Sequence, residues 1–516
     1  MPSIWINSDH RVAFSSNLLA DLDIYKLMQH FTHKKTADIT SWIQKHLTSD
    51  VKEMSRRNRI VQAFSSTPVT ANQCRRLHHG TRRLQEAYME MKRAQNPLVR
   101  CTTTIDLLKL YVTEVHEVCE CLKSIPALED ECTWIEQHMN SQAFSAIQQC
   151  TERVSSVFKP LSSITICVNV QGNGDAVSLQ ILDITDQDIS TISFLESPPC
   201  SINSLLPLVS TKNRNDIVHL EAFLISQVER QWRNCIARVK KEFRDVPFNM
   251  IDEWLEAMNP LEFYVIALTF TEEMCTAGCS LCIPEPDENE FRMEDLCSPH
   301  FVIEGKAMSP YSERLNARKS TLITGANHAG KTTFMKTVAQ CCLLAQLGFL
   351  IPAKSFSFPA ATSMHSVFAV GEQENMRQSR FEQERRSLQE ALDYSDTHSL
   401  VWINEPYTST NPIEAVPLLC DALRVLQEKG VVHWCVTHLY ELYESLIETA
   451  STVQSLVVER SDTAMQAPVI KITKKPPDGI NFARILVRQF GLNADQFIKD
   501  PVILKEIENF LVKEDA

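Results

Sequence analysis

The first part of the chain shows the hydrophobic spacing of helices. From about residue 15 to residue 158, apolar residues recur at intervals of three and four, as in Leu107, Leu110 and Tyr111, which predicts amphipathic helices. The whole chain has only 12 glycines in 516 residues, whereas about 7 % is usual. This scarcity argues against a turn-rich all-β protein and favours long helices.

A different pattern begins at about residue 159. Residues 163–170 and 176–184 are rich in β-branched residues and flank a Gln-Gly-Asn-Gly-Asp turn, which predicts a β-hairpin. Helical spacing returns over residues 213–256 and 260–279, and an acidic loop is expected at 284–295. We therefore predict helical arms with a small clamp-like β insertion.

From about residue 300, short apolar runs alternate with helical sequence. The runs are Thr321–Thr324, Ser366–Val370, Ser399–Ile403 and Val431–Val436. Continuous apolar strands between helices are typical of a mostly parallel sheet that is buried on both faces. We therefore predict an α/β domain at the C-terminal end of the chain. The expected order is a helical core and first lever at 1–158, the β insertion at 159–212, returning lever helices and a connector at 213–299, and the α/β domain at 300–516.

Charge is unevenly distributed along the chain. The formal net charge is −13, which argues against a protein whose whole surface binds nucleic acid. Residues 51–100 nevertheless carry eleven Lys and Arg against three Asp and Glu, and residues 230–244 form a second basic stretch. These helices either contact a DNA backbone or are ordinary solvated faces. The arginines of the first stretch that we consider are Arg56, Arg57, Arg59, Arg75, Arg76, Arg82 and Arg83.

The N-terminal sequence lacks the basic and apolar regions of a secretory signal. Apolar stretches stay short of the ~20 residues that span a bilayer, so we expect a soluble cytoplasmic protein whose 17 cysteines are reduced. Cys275, Cys279 and Cys282 have C-x3-C-x2-C spacing, which resembles the cluster motif of radical SAM enzymes. They end an apolar helical run, and we interpret them as structural.

The most informative motif is a glycine-containing loop between a predicted strand and a predicted helix. Gly325-Ala326-Asn327-His328-Ala329-Gly330-Lys331-Thr332 fits G-x-x-x-x-G-K-[ST], and the helix continues from Thr333. Such glycines let backbone N–H groups converge on phosphate oxygens at a helix N-terminus. Lys331 is expected to reach the β- and γ-phosphates and Thr332 to ligate Mg²⁺. The motif therefore predicts binding of ATP with Mg²⁺.

Two later strands end in polar residues suited to ATP hydrolysis. The strand at 399–403 is followed by Asn404-Glu405, where most such ATPases carry Asp-Glu, and Thr437-His438 closes the next strand. Glu405 is the candidate general base and His438 a candidate catalytic contact to the γ-phosphate. Asn404 is a candidate Mg²⁺ ligand that adds no charge. The alternative is a site that binds ATP and hydrolyses it slowly.

Further motifs follow the loop in a fixed order. They are Ser379-Arg380-Phe381-Glu382-Gln383-Glu384, Thr408-Ser409-Thr410 and Val436-Thr437-His438. In this order they resemble the S-x-F-x-x-E, Thr-Ser-Thr and Ala-Thr-His elements of the MutS family of DNA mismatch-repair ATPases. The resemblance covers about 300–450 well and the tail weakly. It implies an ABC-type P-loop ATPase domain with a C-terminal helical dimerisation tail.

The mechanism that the resemblance implies is a homodimer with two composite ATP sites. Lys331, Thr332 and Glu405 would act on the nucleotide of their own subunit, while Ser379 would cap the γ-phosphate from the other. ATP would then favour a closed arrangement of the arms. The arms would enclose DNA through contacts to its backbone, which carry no sequence information.

Two features depart from the family pattern. The family's phenylalanine wedge with its nearby glutamate is not found before the helical core, and Asn404-Glu405-Pro406-Tyr407-Thr408 is shorter than D-E-x-G-R-G-T-S-T. We therefore expect a shorter MutS-like branch, related to mismatch repair or recombination, that clamps non-standard DNA and does not read mispairs directly. The alternative, favoured by Asn404 and the acidity, is an ATP-gated dimeric interaction protein with weak or no hydrolysis.

Overall fold

The structure, a computed structural model, divides into two compact units. It describes residues 10–157, 163–170, 176–185, 233–306, 309–369, 380–407, 410–449, 452–461 and 469–477. Described residues of Ser66–Val265 form the first unit, and those of Ile6–Ser65 join those from Ile266 onward in the second. This division differs from the expected boundaries, because the earliest helices of the chain pack within the second unit.

The N-terminal segment of the second unit is a short strand followed by helices. Its elements are β1 Ala13–Phe14, α1 Leu18–Asp21, α2 Ile24–Thr32, α3 Thr36–His46 and α4 Val51–Ser65. The inner face of α2 buries Leu27, Met28 and Phe31. The helical prediction for these residues is therefore confirmed, although they do not lie in the helical unit.

The first unit consists mainly of long helices. They are α5 Pro68–Arg93, α6 Pro97–Lys123, α7 Glu129–Met139, α8 Gln142–Val157, α9 Arg233–Glu242, α10 Asn249–Met258 and the first turns of α11 Leu261–Thr276. At the start of α5 the Thr67 side chain accepts a hydrogen bond from the Thr70 N–H, and Asn96 caps α6 in the same way. Such caps satisfy N–H groups that the helix itself leaves unpaired.

Two predictions for the middle of the chain have different outcomes. The hairpin is confirmed, since β2 Ser163–Val170 pairs antiparallel with β3 Ala176–Thr185. The single helix predicted over 213–256 is wrong in its described part, because helix is interrupted between α9 and α10. Pro247 explains the interruption, since proline lacks an N–H and disfavours helix at the preceding residue. Val246 accordingly has φ −75° and ψ 122°.

The rest of the second unit alternates strands and helices. Its elements are β4 Glu285–Pro286, β5 Glu290–Leu296, α12 Pro299–Ile303, β6 Tyr311–Asn316, β7 Ser320–Gly325, α13 Lys331–Leu347, β8 Ser355–Phe358, β9 Ser363–Phe368, α14 Arg380–Tyr394, β10 Ser399–Asn404, α15 Pro412–Glu428, β11 Val432–Val436, α16 Glu441–Glu448, β12 Val453–Ser461 and β13 Val469–Lys474. Within the described residues, no helix is both long and apolar enough to cross a membrane.

The main sheet has the strand order β1-β9-β10-β11-β7-β12-β13. Its pairs are parallel except for the antiparallel pair β12–β13. Strands β7 and β11 are buried at every position, as expected for strands covered on both faces. The prediction of a mostly parallel α/β domain is therefore confirmed for this part of the chain.

The acidic stretch 284–295 is not simply the expected loop. It contains β4 and β5, which join β6 and β8 in a second sheet of order β4-β8-β5-β6. Phe291 and Met293 alternate with charged residues and are buried, which is the pattern of a half-buried strand. The charge is balanced across the strands, since Arg314 lies 3.0 Å from Glu290.

Arg57 is a structural residue of the second unit. Its guanidinium donates to the Glu53 carboxylate at 2.8 Å, to the Leu347 carbonyl at 3.0 Å and to the His46 carbonyl. The side chain is fully buried, and Gly348 gives it room, because a Cβ at that glycine would lie 2.6 Å from the Cβ of Arg57. Neither alternative considered for the basic stretch therefore applies to Arg57, since a fully buried side chain neither contacts a DNA backbone nor forms a solvated face.

The N-terminal segment also binds α13 nearer to its start. Lys336 lies 2.7 Å from an Asp23 carboxylate oxygen, and the Gln340 side chain donates to the Leu22 carbonyl at 2.7 Å. Ser366 on β9 donates to Asp21 at 2.6 Å. Residues 21–23 therefore tie α13 to strand β9 of the main sheet.

Glu114 is a buried acid in the first unit. Its side chain, on α6, packs directly against Gly80 of α5. Any larger residue at position 80 would collide with it, because a Cβ there would lie 1.9 Å from Glu114 Oε2. Thr81 donates a hydrogen bond to the carboxyl group at 3.3 Å. Burial outweighs this bond and raises the pKa of Glu114 to about 7.

We expect Glu114→Gln to stabilise the protein at pH 8 and to have a small effect near pH 5. Since the folded pKa of about 7 exceeds the ordinary 4.5, the unfolded chain gives up its proton first and stability falls as pH rises between these values. The variant avoids this loss of about 3 kcal/mol. Chemical denaturation at both pH values measures the difference, with the exposed Glu86→Gln as control. An equal effect at both pH values would contradict the prediction.

Candidate functional site

The loop between β7 and α13 is held in a conformation that requires glycine at both ends. Gly325 has φ +141°, and a Cβ there would lie 2.2 Å from the Val458 carbonyl oxygen. Gly330 has φ +99°, and a Cβ there would lie 2.7 Å from Ile470 Cδ1. The strands β12 and β13 therefore approach the loop too closely for any side chain. Its backbone is exposed to the cavity described below.

Lys331 is the first residue of α13 and its side chain folds back over the loop. Its Nζ donates to the carbonyl oxygens of Gly325 and Ala326, both at 3.0 Å. The side chain is buried, which lowers the pKa of Lys331, while the charge of Glu405 acts in the opposite direction. An ammonium group held among backbone dipoles at a helix N-terminus forms a strongly electropositive position.

Thr332 meets the end of β10. Its hydroxyl donates to the Asn404 side-chain oxygen at 2.7 Å. The pair places two neutral oxygen ligands next to the loop, which suits a hard cation such as Mg²⁺. Asn404 thus lies where the sequence predicted it, but it brings no charge to the position.

Glu405 and His438 form a hydrogen-bonded pair at the ends of neighbouring strands. His438 Nε2 lies 2.8 Å from Glu405 Oε1, and this contact lowers the pKa of Glu405. The Glu405 N–H donates to the Val436 carbonyl at 2.8 Å, and Glu405 has φ +48°. This left-handed turn directs the carboxylate away from the strand and toward the loop residues.

A single cavity of about 930 Å³ joins these groups. Eight of the predicted site residues line it, namely Asn327, His328, Gly330, Lys331, Thr332, Thr333, Glu405 and His438. Gly325 and Ala326 contribute the carbonyl groups that hold Lys331, and the Ala329 N–H donates to Ala326. Ser379 lies outside the described residues, so its predicted role stays a prediction.

Four further residues of the cavity wall were not predicted from the sequence. Phe301 and Lys306 come from the segment that follows β5, and Arg460 and Ile470 from β12 and β13. None belongs to a recognisable motif, and Arg460 and Ile470 reach the cavity because β12 pairs with β7 and β13 with β12. Lys306 and Arg460 therefore add positive charge to the cavity wall that no sequence motif predicted.

The segment that resembles S-x-F-x-x-E supports the turn after Glu405. The buried Glu384 accepts a hydrogen bond from the Tyr407 N–H at 2.8 Å, and the rings of Phe381 and Tyr407 lie 5.4 Å apart. Tyr407 has φ +60°. These contacts hold a strained turn in place. Thr408 and Ser409 lie outside the described residues.

The predicted cysteine motif does not bring three thiols together in the described structure. Cys275 is exposed, whereas Cys279 and Cys282 are half-buried. Cys279 instead shares a hydrogen bond with Cys297, and burial raises the pKa of Cys282 to about 12.

The second unit is thus an α/β domain in which a glycine-bounded loop, the buried Lys331 and an acidic strand end line one cavity. The family model of MutS domain V matches residues 321–501. This match begins at the second residue of β7 and continues through the loop and the later strands of the main sheet. This part of the chain is therefore similar to domain V of the MutS family.

Curated relatives match over part of their length. Proteins named Endonuclease MutS2 are 32 % identical over 158 residues in Clostridium botulinum (strain Langeland), 28 % over 203 in Gemmatimonas aurantiaca and 31 % over 188 in Halothermothrix orenii. These matches cover 30 %, 38 % and 36 % of this chain, and 20 %, 24 % and 23 % of the respective relatives. The endonuclease activity in their name is that of the whole relatives.

Proposed function

We propose that the second unit binds ATP with Mg²⁺ and hydrolyses it, and that the nucleotide controls how the chain holds DNA. The observation that carries the proposal is the convergence of Lys331, the Thr332–Asn404 pair and the Glu405–His438 pair on one cavity. Its volume of about 930 Å³ lies in the range of small-molecule sites. The MutS domain V match supports the same assignment.

The charge of the cavity wall suits a polyphosphate. Lys306, Lys331 and Arg460 line it, against the carboxylate of Glu405. The N-terminus of α13 adds backbone N–H groups and a favourable dipole for an anion. Lys331, which binds two carbonyl oxygens, would exchange these bonds for phosphate oxygens.

Thr332 and Asn404 fit a magnesium ion. Their side-chain oxygens, 2.7 Å apart, are ligands of the hard type that Mg²⁺ prefers. Bound there, Mg²⁺ would neutralise phosphate charge during transfer. Because Asn404 is an amide, Thr332 and Asn404 together supply less attraction for the ion than a threonine and an aspartate would.

Glu405 would orient the attacking water and take up its proton. A carboxylate with a lowered pKa is ionised at neutral pH and able to accept a hydrogen bond from water. His438 holds one oxygen of this carboxylate, leaving the other for water. His438 would therefore position Glu405 and respond to loss of the phosphate nearby.

We expect Lys331→Ala to abolish ATP binding and Glu405→Gln to keep binding while reducing turnover about 10²–10⁴-fold, the usual contribution of a general base. Equilibrium binding of ATP and phosphate release by purified protein measure the two effects, with the exposed Lys319→Ala as control. Turnover unchanged in Glu405→Gln would refute the hydrolytic role. ATP-dependent dimerisation without phosphate release would instead support the ATP-gated interaction protein.

We expect Asn404→Asp to increase affinity for Mg²⁺ about tenfold, since a charge is added to the ligand pair. The midpoint of Mg²⁺-dependent ATP binding or hydrolysis measures the change. Asn411→Asp is a matched control, because Asn411 caps α15 through its side-chain oxygen and aspartate does the same. An unchanged Mg²⁺ midpoint would remove Asn404 from the metal site.

The proposed DNA contact lies on α5, at Arg76, Arg82 and Arg83. These arginines are exposed, unlike Arg57. They would contact DNA phosphate groups, so their contribution to binding would be independent of base sequence. That two chains dimerise through composite sites, with Ser379 supplied by the partner, is a further part of the proposal that rests on the family resemblance.

We expect the combined change Arg76→Ala, Arg82→Ala and Arg83→Ala to weaken binding of linear, mismatched and four-way junction DNA by similar factors. It should also reduce the salt dependence of log K by about 2–3. Gel-shift titrations at several salt concentrations measure both. The combination Arg314→Ala, Arg318→Ala and Arg424→Ala removes the same charge elsewhere and is the control. No binding by the unmodified protein to any of the three DNAs at low salt would refute the DNA role.

The acidity of the chain and the neutral Asn404 favour the second candidate, an ATP-gated interaction protein. In that case ATP would bring two chains together and the helical unit would hold a protein partner. The phosphate-release and DNA experiments above separate the two functions.

A further inference from the structure

Two thiols and a carboxylate form a group in the helical first unit, outside the ATP-site motifs. Cys119 belongs to the last turns of α6, and Cys132 and Glu136 lie one turn apart on α7. One ligand atom from each of these three residues lies within 4.8 Å of the other two. Among the described residues, this is the one such group of at least three His, Cys, Asp or Glu side chains.

The group is accessible from solvent on one side. Cys119 is buried and Cys132 is 9 % exposed, whereas Glu136 is exposed. An ion would therefore enter past the carboxylate and reach the sulfur atoms behind it. Buried cysteines elsewhere in this unit, such as Cys74 and Cys121, do not share this arrangement and serve as small apolar side chains.

A positive charge is already held at the opening. The Lys123 ammonium lies 3.5 Å from a Glu136 carboxylate oxygen and 3.3 Å from one of Glu120. The carboxylates of Glu136 and Glu120 thus hold one ammonium group near the exposed side of the thiols. A divalent ion would compete with this ammonium for Glu136, the carboxylate that belongs to the three-residue group.

We propose that Cys119, Cys132 and Glu136 bind a divalent ion of the zinc class, with water completing four ligands. Tetrahedral zinc with bonds of about 2.3 Å to sulfur and about 2.0–2.2 Å to oxygen separates its ligand atoms by roughly 3.5–3.8 Å. The group would contract by about 1 Å, a change that side-chain rotation supplies. Each thiol gives up a proton on binding, and Lys123 moves outward.

The ion would fix α7 against α6. Between the two helices the chain makes only a short turn with a 3₁₀ segment at Pro126–Leu128. Helix α7 also carries Trp134 and His138, whose rings pack on Trp254 of α10 at centroid distances of 6.2 and 5.1 Å. Metal binding would therefore stabilise the helical unit, and it is independent of the proposed ATP and DNA functions.

Cobalt titration of the reduced 516-residue chain tests the proposal. We expect one equivalent of Co²⁺ to bind with the intense sulfur-to-metal absorption of a thiolate site, and Zn²⁺ to displace it. Cys132→Ser should lose this absorption, while Cys121→Ser, which changes a buried cysteine of α6 outside the group, should keep it. Glu136→Gln should keep thiolate absorption but bind about tenfold more weakly or worse.

Thermal unfolding provides a second measurement that does not depend on cobalt. Zn²⁺ should raise the unfolding temperature of the unmodified chain and of Cys121→Ser, and not that of Cys132→Ser. If Co²⁺ gives no thiolate absorption, or if Cys132→Ser retains it, the metal site is refuted. Mass spectrometry showing a Cys119–Cys132 disulfide in protein purified without reductant, together with no metal binding after reduction, would likewise overturn it. ATP and DNA binding remain measurable in every case, so failure here is distinct from failure of the proposed function.

Discussion

The parallel register of the central strands is the constraint on which the candidate site depends. Asn404 at the end of β10 is paired with Val436 of β11, and Val436 is paired with Ile323 of β7. The carboxyl ends of parallel strands lie at one edge of a sheet. Segments far apart in the chain therefore deliver the loop, the Asn404-Glu405 pair and His438 to one place. Burial of β7 and β11 at every position makes a shift of this register costly.

Helix α13 connects this edge to the N-terminal segment. It begins at Lys331, in the loop, and ends at Leu347, whose carbonyl is bound by Arg57. Asp23 binds the same helix nearer its start through Lys336. A change in the position of α13 would therefore disturb contacts made by residues 10–65, because a buried arginine and its acceptors lose several kcal/mol if they separate. These contacts join residues 10–65 to the α/β domain within the second unit.

The arginines of the basic segment 51–100 are buried or exposed depending on the unit to which they belong. The basic segment 51–100 crosses the division at Ser65 and Ser66. On the second-unit side Arg57 is neutralised by Glu53 and buried, whereas Arg76, Arg82 and Arg83 on α5 are exposed. An acidic chain with a net charge of −13 can therefore present a positive surface on one helix, and counting charges along the sequence overstates the extent of that surface.

The sequence by itself determined the local elements and the chemical core of the site. The G-x-x-x-x-G-K-[ST] motif, the apolar strands and the hairpin turn are encoded in neighbouring residues, so they are readable without a structure. The interruption before Asn249 was equally local, since Pro247 marks it. Only the tertiary structure decided that residues 10–65 join the α/β unit, that Arg57 is buried, and that Arg460 and Ile470 reach the cavity. These facts depend on which distant segments pack together, and no spacing along the chain records that choice.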